Sequence, residues 1–205
     1  GGGNDDLYGV TVLGREKETG DLLAWSHAYC LPIVLERRKD IAPRLLDFQR
    51  DGDLTIVPKI EEACAAVVAL VKRADEAGLL GSLHDGKKRA IGVDAACIKQ
   101  TLDALNAAGY PDEQIVGVSQ GWRLTTAIKS TELYLSSEAL RHARQPLMNW
   151  CVGNAKVELK GNAVLITKQA SGSAKIDPLM SLFSAVEVMA LSPVAAGRSF
   201  WEAAA

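Results

Sequence analysis

The chain has 205 residues, 48% of them hydrophobic, and its 23 Lys and Arg side chains face 25 acidic ones for a net charge of -2. That length and apolar content support one well-buried domain and make two very small ones a strained arrangement. The near balance of charge excludes a nucleic-acid binder of the strongly basic kind, so any contact with a polyanion must be local. No run reaches the roughly 18 uninterrupted apolar residues of a membrane span.

In chain order, residues 7–13 and 22–29 read as two strands of an antiparallel hairpin, joined by the polar segment Arg15-Glu16-Lys17-Glu18-Thr19-Gly20-Asp21. An amphipathic stretch from Pro32 to Gln49 is interrupted at Pro43, and Asp51-Gly52-Asp53 leads into a short strand over 54–57, expected as a third antiparallel strand. Cys64, Val67, Val68 and Val71 recur at helical spacing between Ile60 and Ala77, with Gly78 just beyond. "AIGVD", a helix carrying Ile98, Leu102 and Leu105, and "QIVGVS" then form a strand, a helix and a strand with short links. Such a crossover makes a parallel pair. Helices are expected over 127–135 and 146–152, a hairpin over 155–167 around Lys160-Gly161-Asn162, and a buried helix on the stripe Leu179, Leu182, Phe183, Val186 and Met189. Antiparallel strands followed by a parallel unit predict an α/β fold with a mixed sheet flanked by helices.

Several residue groups are weak carriers of chemistry. Cys30, Cys64, Cys97 and Cys151 form no CxxC pair, which suits buried thiols in a reducing, cytoplasmic setting. His27, His84 and His142 have no metal-binding spacing, and no GxSxG elbow supports a serine nucleophile. "GSLHDGKK" nearly matches a phosphate loop, but Lys88 stands where a hydroxyl should hold magnesium, and the segment follows a helix rather than a strand.

The aspartates carry more. Asp94 ends the strand "AIGVD", where ligands gather in α/β sheets, and it also suits the N-cap of the following helix. Asp177 precedes Pro178 and is expected as an N-cap with Pro178 as first helical residue, a role compatible with metal binding. Asp5 and Asp6 lie in a glycine-rich turn and on their own read as solvated turn residues. Separated aspartates at strand and helix ends suit Mg²⁺ or Mn²⁺, and a pair of such ions can activate water and stabilise the leaving 3′ oxygen of a phosphodiester.

Four stretches, "GGGNDDLYGVTVLGREKETGDLLAWSHAY", "AIGVDAACIKQTLDAL", "IVGVSQGWRLTTAIKSTE" and "QPLMNWCVGNAKVELKGNAVLITKQASGSAKIDPLMSLFSAVEVMALSP", with the closing "AAGRSFWE", resemble the C-terminal nuclease domain of the tailed-bacteriophage terminase large subunit. The resemblance spans most of the chain in the family's order. It implies a ribonuclease-H-like fold and two-metal, Mg²⁺- or Mn²⁺-dependent cleavage of concatemeric double-stranded viral DNA. It matches Asp94 and Asp177 to catalytic metal ligands. The family's first ligand ends a strand just before the glycine-rich turn, so the resemblance makes residues 1–205 a nuclease domain lacking that first strand, its ligand and the upstream ATPase motor. Asp5 and Asp6 are then candidate metal neighbours. Lys168 and Lys175, in the loop before Asp177, are expected to meet the DNA backbone. The implied partners are viral DNA, the ATPase domain, the portal and the small terminase subunit, in the host cytoplasm during virion assembly and with no membrane. The alternatives are a noncatalytic docking and DNA-guiding module of the packaging motor, with the aspartates as helix caps, and, more remotely, another ribonuclease-H-fold enzyme such as a recombinase.

Overall fold

A computed structural model of the chain describes residues 5–96, 99–168 and 174–195. Strands β1 (Tyr8–Arg15) and β2 (Leu22–Cys30) form the expected antiparallel hairpin, with Tyr8 opposite Tyr29 and Arg15 opposite Leu22. Glu16 organises the connection by accepting the backbone N–H groups of Glu18 and Thr19 on its carboxylate. Helices α1 (Pro32–Arg37) and α2 (Ala42–Arg50) follow, each with a proline in its first turn, where a missing N–H costs nothing.

β3 (Leu54–Ile56) corrects one expectation, because it pairs parallel to β2, with Ala28 opposite Leu54. The intervening helices carry the chain back across the sheet, so β3 enters in the direction of β2. A strand absent from the sequence reading, β7 (Leu140–His142), lies on that same edge, beside the first residues of β2 and also parallel. The resulting four-stranded sheet is mixed.

Helix α3 (Ile60–Glu76) ends at Gly78, whose φ of +67° suits glycine. The two-residue strand β4 (Gly81–Ser82) comes next. Its loop turns on Asp85, whose Oδ1 accepts N–H from Lys87 and Lys88 at 3.0 Å each, so the near-match to a phosphate loop is a self-bonded turn. β5 (Gly92–Asp94), α4 (Lys99–Ala107) and β6 (Val116–Val118) make the parallel unit, with Asp94 opposite Val118. Helices α5 (Thr125–Ser136) and α6 (Pro146–Gly153) precede the hairpin β8 (Ala155–Lys160) and β9 (Ala163–Lys168), then α7 (Asp177–Ala190) and β10 (Val194–Ala195), which pairs with β4.

The largest core packs α7, α5, α6 and α2 against the mixed sheet, with Leu7, Phe48, Leu54, Leu124 and Leu147 almost wholly shut from water. A second cluster, Leu80, Ile91, Leu105, Tyr110 and Ile115, lies beneath α3 and α4. Asp75 ties its rim together by accepting Tyr110 Oη at 2.8 Å and pairing with Arg89. No helix among the described residues is long and apolar enough to cross a membrane.

Helix α7 packs on β1 and β2 and also on β5 and β6, and so spans both sheets. Val188 lies against Gly92 in β5, whereas Gln120, two residues past the end of β6, donates to Ser184 Oγ at 3.3 Å. Moving forward along the strands therefore moves backward along the helix. Helix α7 is antiparallel to β5 and β6, and its first residue, Asp177, lies toward their carboxyl ends.

Candidate functional site

Among the described strands, β1 pairs only with β2, and β5 only with β6. A cavity of about 590 Å³ runs between the two free edges, lined by all eight residues of β1 and all three of β5. Helix α7 closes it on one side through Met180, Ser184 and Val188, and α3 contributes Val67, Val71 and Ala74. Because neither β1 nor β5 pairs with a further described strand across the slot, its borders offer backbone N–H and C=O groups, from Val10 onward in β1, of the kind a strand pairs with.

Two of the sequence-derived carboxylates line this slot, Asp94 and Asp177. Asp94 reaches it as the last residue of β5. Its Oδ1 accepts Ala96 N–H at 2.9 Å, a local turn that fixes the side chain at the strand end. Asp177 departs from its expected role as a cap. Ile176 holds the N-cap position, Asp177 is the first helical residue and Pro178 the second, and no side-chain cap hydrogen bond forms. With the helix entry already satisfied by Pro178, the carboxylate is released for another use.

The Asp177 side chain is half-buried, but its Oδ2 is shut from solvent and has no hydrogen-bond partner among the described residues. Burial, reinforced by the negative charge of Asp6, pushes its carboxyl up to about 6, against partial compensation from Lys168 and Lys175. A buried carboxylate oxygen without a donor is a poor arrangement in itself and a good one for a cation.

Asp5 and Asp6 join the site from the turn before β1, held by three cations. Arg38 grips Asp5 with two donors, Nε to Oδ1 at 2.6 Å and Nη2 to Oδ2. That hydrogen-bonded guanidinium holds the Asp5 carboxyl below its ordinary range. Asp6 Oδ1 accepts Lys168 Nζ at 2.8 Å and Lys175 Nζ at 3.2 Å. Burial raises the Asp6 carboxyl, but the two ammoniums outweigh it and leave the group below its usual range.

Lys175 corrects the expectation that it would meet DNA. Its side chain is only 3% exposed, its ammonium donates to the backbone oxygen of Asp5 as well as to Asp6, and its own carbonyl accepts Asn154 Nδ2 at 3.1 Å. A lysine buried this way has spent its charge inside the fold. Lys168, 42% exposed, keeps one side open to solvent.

The donor set can be weighed against a hard divalent ion. Asp94 and Asp177 both line one slot, and the orphaned Asp177 Oδ2 fits a cation. Asp5 fits poorly, since both oxygens are bound by Arg38, and Asp6 already serves two lysines. Among the described residues no three His, Cys, Asp or Glu side chains stand close enough together to hold a metal. The histidines stay outside this site: His27 is buried between Trp25 and Tyr29 and bonded to Thr55 Oγ1, and His84 and His142 are exposed. Cys30, Cys64 and Cys151 are buried free thiols, and Cys97 lies outside the described residues.

Sequence reasoning missed Trp122 and Arg123, on the 3-10 turn Gly121–Leu124 just after Gln120. The signal available was "GWR" beyond a predicted strand end, an aromatic and a cation in a loop where ligands gather.

No protein-family model and no curated protein matches the chain. Among solved structures the chain is similar to the HK97 bacteriophage large terminase, with a TM-score of 0.64 and 22% identity, over 89% of this chain and 36% of that one. The chain thus shares the mixed α/β fold of about a third of that protein's length.

Proposed function

We propose that the chain is the nuclease domain of a tailed-phage packaging terminase, an endonuclease dependent on Mg²⁺ or Mn²⁺ that cuts concatemeric double-stranded viral DNA. The observation that carries this reading is the slot, with Asp94 and Asp177 at the carboxyl end of its parallel border. The likeness to the HK97 large terminase supports the fold on which the reading rests. A strand antiparallel to β1 and parallel to β5 would merge the two sheets into one. Its carboxyl end would fall beside Asp94 and Asp177, and a carboxylate there would complete the set of three that the described residues lack.

In this reading Asp94 and Asp177 hold the metal. The bound ions would supply an activated water and charge stabilisation for the leaving 3′ oxygen. Asp94 is oriented by its bond to Ala96 N–H, and Asp177 by the rigid proline turn behind it. Lys168 and Lys175 fix the Asp5–Asp6 turn and keep Asp6 ionised. The ATPase motor, portal, small subunit and host cytoplasm belong to the same proposal.

The lack of a three-ligand cluster among the described residues favours a second reading, a noncatalytic module that guides DNA. Thermal denaturation with and without Mn²⁺ separates the two. The nuclease reading expects Mn²⁺ to raise the Tm of the chain and to lose that effect in Asp94→Ala and Asp177→Ala. An Mn²⁺-indifferent Tm in a chain that still binds duplex DNA would support the guiding module instead.

A further inference from the structure

Trp122 and Arg123 stand at the same end of the parallel strands as Asp94 and Asp177, and both side chains are exposed. β6 ends at Val118, the register partner of Asp94, and the turn carrying the pair begins three residues later. The Trp122 side chain is 61% exposed, and the Arg123 guanidinium lies over its ring, 4.9 Å from the centroid. Among the described residues Arg123 forms no ion pair, unlike Arg38, Arg50, Arg89 and Arg141.

The turn is nevertheless rigidly held. Leu124, the next residue, is completely buried. Thr125 Oγ1 donates to the Trp122 carbonyl at 2.6 Å and accepts Val164 N–H from β9 at 3.1 Å. Gln120 fixes the other flank on Ser184 of α7. Ser184 is seven residues from Asp177, about 10 Å along the helix axis. A single exposed apolar side chain is ordinary, but this indole is held in place by anchors on both sides and carries a guanidinium on its ring.

We infer that Trp122 and Arg123 form a DNA-contact element beside the candidate metal centre, Arg123 binding a backbone phosphate of the duplex and Trp122 packing on the adjoining deoxyribose. The inference rests on the nuclease reading for its substrate class. An unpaired guanidinium with a fixed plane matches a phosphate geometrically. Stacking on the indole fixes that plane in advance, so little freedom is lost on binding. A chain with a net charge of -2 must concentrate its DNA contacts in local features of this kind.

The test is fluorescence anisotropy of a labelled 30-base-pair duplex, without divalent metal, over a salt series. Arg123→Ala should weaken binding about five- to tenfold at low salt and reduce the log–log salt slope by about one. Trp122→Ala should weaken binding several-fold with the slope unchanged, and Trp122→Phe should keep most of the affinity. Arg50→Ala, which removes an exposed arginine from α2, should match the wild type. Circular dichroism melts confirm folding, and if Trp122→Ala fails to fold, Arg123→Ala and Trp122→Phe decide the question. Wild-type binding with unaltered affinity and slope in Arg123→Ala overturns the inference and leaves the nuclease reading standing. Absence of any duplex binding by the wild type overturns both.

Discussion

Gly9 lies directly against the backbone of Asp177: a Cβ at position 9 would sit 2.7 Å from both the carbonyl carbon and the carbonyl oxygen of Asp177, and 2.9 Å from the nitrogen of Pro178. The contact presses β1 onto the first turn of α7 and sets the height of the Asp177 carboxylate above the slot. Backbone on backbone leaves no flexible side chain to yield.

Gly9→Ala should therefore destabilise the protein by about 1–3 kcal/mol through overpacking. Urea denaturation measures the loss. It should also weaken the Mn²⁺-induced rise in Tm, because α7 has to move away to admit the methyl group. A variant as stable as the wild type with an unchanged Mn²⁺ response would show that the approach is looser than described.

The Lys175–Asp6 pair predicts a coupling. Lys175→Met should cost about 2 kcal/mol, below the range for a fully buried pair because Asp6 retains Lys168. In an Asp6→Asn background the same substitution should cost less, with an interaction energy of about 1 kcal/mol in a double-mutant cycle. Strict additivity would mean that Lys175 acts only through its bond to the Asp5 backbone oxygen.

The pH dependence follows from the raised carboxyl of Asp177. Its folded value of about 6 lies above the ordinary 3.8, so the folded protein binds this proton more tightly than the unfolded chain. Stability is then greatest below the ordinary value and declines as pH rises toward 6, by up to about 3 kcal/mol. Asp177→Asn removes that penalty, so without metal it should be more stable than the wild type at pH 8, the gain fading by pH 4. Asp6, held below its ordinary range by two ammoniums, runs the other way and loses its contribution as pH falls. Equilibrium unfolding of both variants from pH 4 to 8 checks the signs, and an Asp177→Asn gain that grows toward acid pH would contradict the assignment.

What the sequence made legible follows the range of the forces involved. The α3 stripe, the β1–β2 hairpin and the β5–α4–β6 crossover are local patterns, and the structure has them. Strands β4 and β10 have two residues each and β7 is one leucine followed by exposed Arg141 and His142, so none of them forms an apolar run. The direction of β3 depends on how α1 and α2 return the chain, which no spacing within Leu54–Ile56 encodes. Asp94 and Asp177 stood out as candidates because strand ends and prolines mark positions, and the structure has both lining one slot. Lys175 was not, since its burial comes from Asp5 and Asp6, about 170 positions earlier in the chain. Trp122 escaped because exposure of an aromatic residue is decided by neighbours such as Leu124 and Val164.

Manganese-dependent relaxation of supercoiled plasmid by the wild-type chain and by Asp94→Ala and Asp177→Ala tests the central claim most directly. The account predicts cleavage by the wild type, which either substitution should abolish while leaving a cooperative melt. Cleavage that persists in either folded variant would contradict the two-carboxylate assignment.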